Sequence, residues 1–264
     1  MEYNDTNLQD RSQIVFHNRS STDYGMKLLF PWNPPAPQID ATATQIPGVS
    51  GDYSSGFKTY RAVDITINTV IRIPERYHGN WSQLKGDIEN WLYGDEDYLK
   101  FRDDPEFLYI AQVYTPPTFT PVNAERIDAT ITFHFQPYKI AANSREWLKI
   151  PTSGIVTNKG TATVKADWHI NGNGSFLLKV NDFPYEFDNV DGDLYLIGEE
   201  GNAYNMYPKG IQNGLTLLND HLRLANNEAP QFLCSGDGTN TVTIETISGT
   251  LNKIEFLAKW RRLI

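Results

Sequence analysis

Three stretches of this chain alternate apolar and polar residues with a period of two, and that period suits strands buried on one side. From Arg61 to Ile73, the apolar residues Val63, Ile65, Ile67, Ile71 and Ile73 interleave with Asp64, Thr66, Asn68 and Arg72. From Ile127 to Phe135, Ile127, Ala129, Ile131, Phe133 and Phe135 interleave with Asp128, Thr130, Thr132 and His134. From Thr161 to Ile170, Ala162, Val164, Ala166, Trp168 and Ile170 share one face, with Lys165, Asp167 and His169 on the other. One dry and one wet side predict antiparallel sheet around a core. The wet side of the third stretch reads as an outer or docking surface.

With 264 residues the chain suits two domains, each large enough for its own core. The strand pattern stops and restarts across Ala141-Ala-Asn-Ser-Arg-Glu, which places a boundary near Asn143 and gives domains 1–143 and 144–264. In the first, one helix is predicted, because Trp81, Leu84, Ile88, Trp91 and Leu92 form one stripe at a 3.6-residue period. Asn80 is its expected N-cap and Gly94 its expected stop. Pro31, Pro34, Pro35 and Pro37 fix backbone angles and remove donors, giving an extended arm. Ile46 to Asp52 reads as a turn cluster, and Asp103-Asp104-Pro105 as a turn between two strands. The second domain shows strands at 176–180, 193–197, 214–218, 241–247 and 253–260, spaced as in a sandwich. Asn173-Gly174 and Asp191-Gly192 are hairpin signals.

Composition excludes more than it assigns. Net charge is −9, with 12 basic against 18 acidic residues in 1–143. Specific phosphate binding needs a basic face, so nucleic-acid recognition is disfavoured, while an acidic conduit would let DNA slide without sticking. No apolar run approaches the ~20 residues that cross a bilayer, and the start of the chain has no secretory pattern. Cys234 is the one cysteine and cannot form an internal bridge. The five histidines lack metal-ligand spacing, and there is no nucleophile elbow. Adjacent carboxylates at Asp103-Asp104 and Glu199-Glu200 point to opposite sides of a strand and make poor cooperating pairs. Asp188, Asp191 and Asp193 fail the calcium-loop pattern. His169-Ile-Asn171-Gly-Asn173 is close to the His-x-Asn-x-Arg sugar-binding strand of galectins, with Asn173 in the arginine's place. Neither catalysis nor a cofactor is predicted.

Taken in order, several motifs resemble the distal tail protein (Dit) family of long-tailed, non-contractile bacteriophages. In the first half these are Tyr24-Gly-Met-Lys-Leu-Leu, the proline arm, Ile46-Pro-Gly-Val-Ser-Gly, Trp91-Leu92, Leu99-Lys-Phe-Arg-Asp-Asp-Pro-Glu and Phe135-Gln-Pro-Tyr. In the second they are Asn158-Lys-Gly-Thr-Ala, Val180-Asn, Asn189-Val-Asp-Gly-Asp-Leu and Lys259-Trp-Arg-Arg. The resemblance implies a mainly β protein, with an N-terminal barrel or sheet domain and a C-terminal galectin-like antiparallel sandwich. It implies a homohexameric ring at the virion tail tip, assembled in the host cytoplasm, with no enzyme activity and no membrane anchor. Implied partners are the tail tube protein and a tail-associated fibre or lysin protein, with tape-measure and receptor-binding proteins as further candidates and DNA only as passing cargo. The ring contact is expected to involve Tyr24, Leu28, Trp32, Pro34, Pro35, Ile65 and Ile67. The chain departs from the family in a polar extension before Ile14 and in having no long insertion in its second half. The alternative reading is a carbohydrate-binding module for host cell-wall recognition.

Overall fold

The computed structural model describes residues 12–29, 35–40, 42–45, 47–48, 50–55, 59–208 and 212–264. It divides into two compact units, Met1–Ala142 with Leu263–Ile264, and Asn143–Arg262.

In the first unit the strands are β1 (Ile14–Phe16), β2 (Arg19–Ser20), β3 (Met26–Leu28), β4 (Thr42–Gln45), β5 (Asp52–Ser55), β6 (Val63–Arg72), β7 (Asp97–Phe101), β8 (Phe107–Gln112), β9 (Thr118–Pro121) and β10 (Arg126–Ala141). Helix α1 spans Trp81–Leu92. Among the described residues the sheet runs β2-β1-β7-β8-β10-β6-β3, with β9 also on β10, and β4 and β5 form a separate hairpin. Ile46 and Val49 of the expected turn between these two lie outside the described residues. The alternation seen in the sequence becomes an antiparallel ladder from Val63↔Phe135 to Arg72↔Arg126. Ile65, Ile67, Ile71, Ile127, Ile131, Phe133 and Phe135 enter the core from it. β10 continues past Pro137, where the predicted strand stopped, because the ladder to β8 shifts register between Phe135 and Lys139. A proline without an N–H is tolerated at such an irregularity.

The helix forms as its periodicity requires, burying Leu84, Ile88, Trp91 and Leu92. Asn80 caps it by accepting from the Gln83 N–H at 3.2 Å. At the other end the cap is extended Tyr93, and Gly94 serves a different purpose. A Cβ there would lie 2.7 Å from the His17 ring.

The second unit contains β11 (Leu148–Lys149), β12 (Ile155–Thr157), β13 (Val164–Lys165), β14 (Asp167–Val180), β15 (Phe183–Ile197), β16 (Asn202–Tyr204), β17 (Leu222–Arg223), β18 (Gln231–Phe232), β19 (Thr239–Leu257) and β20 (Arg261–Leu263). Its main sheet is β11-β19-β14-β15-β16, with β12 on β19 and β17 on β15, while β13 and β18 pair as a separate ribbon. From that ribbon Phe232 packs on Trp168, Phe256 and Trp260, with ring centroids 5.9, 5.1 and 5.4 Å away. The chain is therefore mainly β, with curled antiparallel sheets and a single α-helix, as the alternation predicts.

Several turn and strand boundaries differ from expectation. Thr161–Ile170 is interrupted at Ala166, with its first part in the ribbon and its second in the main sheet. Asn173-Gly174 and Asp191-Gly192 lie inside β14 and β15 and turn nothing. The hairpin between those strands is instead Asn181-Asp182, both left-handed at φ 51° and 67°, the geometry of a two-residue type I′ turn. Gly174 faces Gly249 across β14 and β19, and a Cβ on Gly249 would lie 1.8 Å from the Asn173 carbonyl oxygen. These glycines allow backbones to meet. The segments 241–247 and 253–260 merge into β19, which absorbs two register shifts against β14. Gly214–Leu218 forms no strand and contributes only the Tyr204↔Leu217 bridge.

Candidate assembly surfaces

Of the residues expected at a ring contact, Tyr24, Leu28, Ile65 and Ile67 are each at most 5% exposed and belong to the first unit's own core. Tyr24 stacks on Trp91 at 4.7 Å. Pro35 is exposed, and Trp32 and Pro34 lie outside the described residues. The large apolar side chains that do reach the surface of this unit include Leu29, Ile39, Tyr93, Tyr114 and Val122. The alternation could not single them out, because they stand at strand ends and in loops.

The polar side of β6 and β10 is a continuous row of cross-strand pairs. Asp64 bonds His134 Nδ1 at 2.7 Å, Thr66 meets Thr132 at 3.1 Å and Thr130 donates to Asn68 at 3.2 Å. Arg126 donates to Asp128 at 2.9 Å. Each row is stitched by polar contacts of modest strength, as exposed pairs on a sheet are. Tyr114, 63% exposed, lies beside His134 with centroids 5.2 Å apart. The face is polar, of mixed charge and open.

In the second unit the expected docking face is closed. Asp167 is fully buried and His169 is 6% exposed. The His169 ring stacks on Tyr195 at 4.2 Å and meets the edge of Trp147 at 5.8 Å. Trp147 in turn packs on Tyr207 at 5.5 Å. Asp167 accepts from Lys259 Nζ at 2.6 Å, Tyr207 Oη at 2.7 Å and the Gly198 N–H at 2.9 Å. A buried carboxylate is tolerable only with partners of this kind. The galectin-like row is also engaged within the sheet. His169 Nε2 and Asn171 Nδ2 converge on Asp193 Oδ1 at 2.7 and 2.8 Å, and Asn173 donates to Asp191 at 3.2 Å. The His169 bond is the main cause holding the Asp193 carboxyl below its usual range, against the opposing effect of burial.

The acidic doublets have separate partners. Glu199 accepts from Arg261 at 3.2 Å and Glu200 from the Tyr204 hydroxyl at 2.8 Å. Asp104 accepts from Tyr109 at 2.7 Å and from Lys139, and burial followed by this bond pushes the Tyr109 hydroxyl far above its usual range. Among the described residues no group of three histidines, cysteines or acids could hold a metal ion. None of the helices in that set is long and apolar enough to cross a membrane.

Two sequence motifs from opposite ends of the second unit meet in one knot. Asn158 accepts from the Gly160 N–H at 2.8 Å and donates to the carbonyls of Ala162 and Phe232 at 2.9 and 3.0 Å. The Thr161 N–H donates to the Arg261 carbonyl at 2.9 Å, and the Arg261 guanidinium donates to the Thr163 carbonyl at 2.9 Å. A Cβ on Gly160 would sit 2.4 Å from the Arg261 oxygen. The Asn158-Lys-Gly-Thr-Ala and Lys259-Trp-Arg-Arg motifs are thus one structural element. From it the chain continues to Ile264, which packs on the first unit's core and donates to the Pro137 carbonyl at 3.2 Å.

No protein-family model matches the chain, and no curated protein matches it in sequence. Among solved structures it is similar to the Dit protein of phage SPP1, described as a paradigm of the hub adsorption apparatus in phages infecting Gram-positive bacteria. The likeness covers 92% of this chain and 97% of that one, with a TM-score of 0.63. The chain has a Dit-like fold. At 14% identity the likeness is one of fold, and it spans the Dit-like chain's sheet unit and its sandwich together. Burial patterns and bulge positions can survive where side-chain identity does not, because packing constrains volume and periodicity more than it constrains residue type.

Proposed function

We propose that this chain is a distal tail protein, a non-enzymatic structural component of the tail tip of a long-tailed, non-contractile phage. The observation that carries the reading is the fold likeness over nearly the whole of both chains. In this reading six copies form a ring through their first units and join the tail tube protein on one side to a tail-associated fibre or lysin protein on the other. DNA passes through the channel without being bound, in keeping with the net charge of −9. Tape-measure and receptor-binding proteins are further candidate partners.

The proposed ring contact combines two kinds of residue. Tyr24, Leu28, Ile65 and Ile67 support the contact from beneath by holding strands in place. Exposed Leu29, Ile39 and Tyr114 supply apolar area. Each interface is expected to bury more than about 1,000 Å². Light scattering on the purified chain tests the assembly, and a mass near six times 30.0 kDa with six-fold rings in electron micrographs is the expected result. A monodisperse monomer at high concentration would overturn the reading.

A further inference from the structure

We propose that His17 is held as the doubly protonated imidazolium, a charged cap that fastens the β1–β2 edge to the C-terminal end of α1. His17 and Asn18 form the β1–β2 turn, both left-handed at φ 45° and 58°. His17 Nδ1 lies 2.9 Å from the Trp91 carbonyl oxygen, and Nε2 lies 3.1 Å from the Asp95 carbonyl oxygen. Carbonyl oxygens only accept, and a neutral imidazole has one N–H and one lone pair. A neutral ring would set lone pair against lone pair at one of these contacts. The imidazolium donates at both.

The surroundings favour that cation. Trp91 stands in the last turn of α1, where carbonyls without intrahelical partners gather the negative end of the helix dipole. Trp91 returns a bond from its indole N–H to the Phe16 carbonyl at 2.8 Å, so turn and helix end are joined in both directions. Phe16 stacks on the imidazole at 4.0 Å, and Gly94 leaves room for it. Of the charged side chains on the packed elements, Glu89 pairs with Lys85, Glu96 accepts from Gln136 and Arg19 donates to Tyr24, while the Asp95 carboxylate is exposed. Since β2 and β1 are the outermost strands beside β7, this cap governs how firmly that sheet edge is covered. Acid strengthens the cover and base loosens it.

The test uses the full chain labelled with ¹⁵N-histidine. At pH 7 both His17 ring nitrogens should resonate as protonated. Amide exchange in β1 and β2, corrected for intrinsic rates, should lose roughly tenfold in protection between about pH 6 and pH 8.5 in the wild type. The same protection should stay flat in His17→Gln. An unprotonated ring nitrogen at pH 7, or equal loss of protection in both proteins, would overturn the proposal. The ring measurement on the wild type decides alone should the variant not fold.

Discussion

On β10 of the first unit Asp128, Thr130, Thr132 and His134 stay partly exposed, whereas on β14 of the second unit Asp167 and His169 are buried beneath Trp147, Tyr195 and Tyr207. Both segments alternate in the same way. The difference comes from residues remote in sequence: Tyr207 stands 40 positions from the Asp167 it bonds. A period of two settles which side chains share a face, because successive Cβ atoms point to opposite sides. Whether a loop later covers the polar face is a tertiary matter. The open face therefore rests on weak, solvent-screened pairs, and the closed face on buried ones that cannot lose a partner cheaply.

The largest expected effect breaks the closed face. Asp167→Ala leaves Lys259 and Tyr207 without their shared acceptor, and a loss of about 3–5 kcal/mol is expected from urea unfolding. A loss below about 1 kcal/mol would mean that water reaches the site, and the contrast with β10 would disappear. Next comes the close approach of β14 and β19. Gly249→Ala meets the Asn173 carbonyl at 1.8 Å and a φ of 82°, so it should cost at least about 2 kcal/mol. Gly192→Ala, at φ 89° with open space around it, should cost only the left-handed penalty of about 1–2 kcal/mol. Equal losses in the two variants would show that backbone conformation, and not the approach, is what these glycines serve.

The ladder of β6 on β10 and the stripe of α1 were legible because each is a local period with one buried side. The glycine signals misled for a physical reason. Asn-Gly and Asp-Gly mark places where a side chain would be in the way, and a turn is only one such place; the meeting of Gly174 with Gly249 is another. The positive φ of Asn189 marks the same belt, and the real hairpin at Asn181-Asp182 carries no glycine. Among the surfaces, the polar row of β6 and β10 was readable, but the exposed apolar residues at its margins were not. Leu29, Ile39 and Tyr114 lie where no period runs. The roof over His169 left no local signal, since Trp147 and Tyr207 each read as isolated aromatics.

The two Asp–His pairs give the finest comparison, both at 2.7 Å, one on each face. Asp193 is depressed in the folded state mainly by its bond to His169. A depressed carboxyl contributes stability that is present above its unfolded value of about 3.9 and is lost as pH falls through the folded value. Asp193→Asn should therefore flatten the acid side of the melting-temperature profile while changing little near neutrality. An unaltered acid limb would remove the bond as its cause. The smallest effect belongs to the open face. A double-mutant cycle with Asp64→Ala and His134→Ala should give a coupling of about 1 kcal/mol or less in the isolated chain, because both side chains keep contact with water. Coupling above about 2 kcal/mol would show that something covers β10 as Trp147 and Tyr207 cover β14. In the proposed ring a neighbouring copy is the natural candidate, so repeating the cycle on monomer and assembly would separate a face open in itself from one open only until its partner arrives.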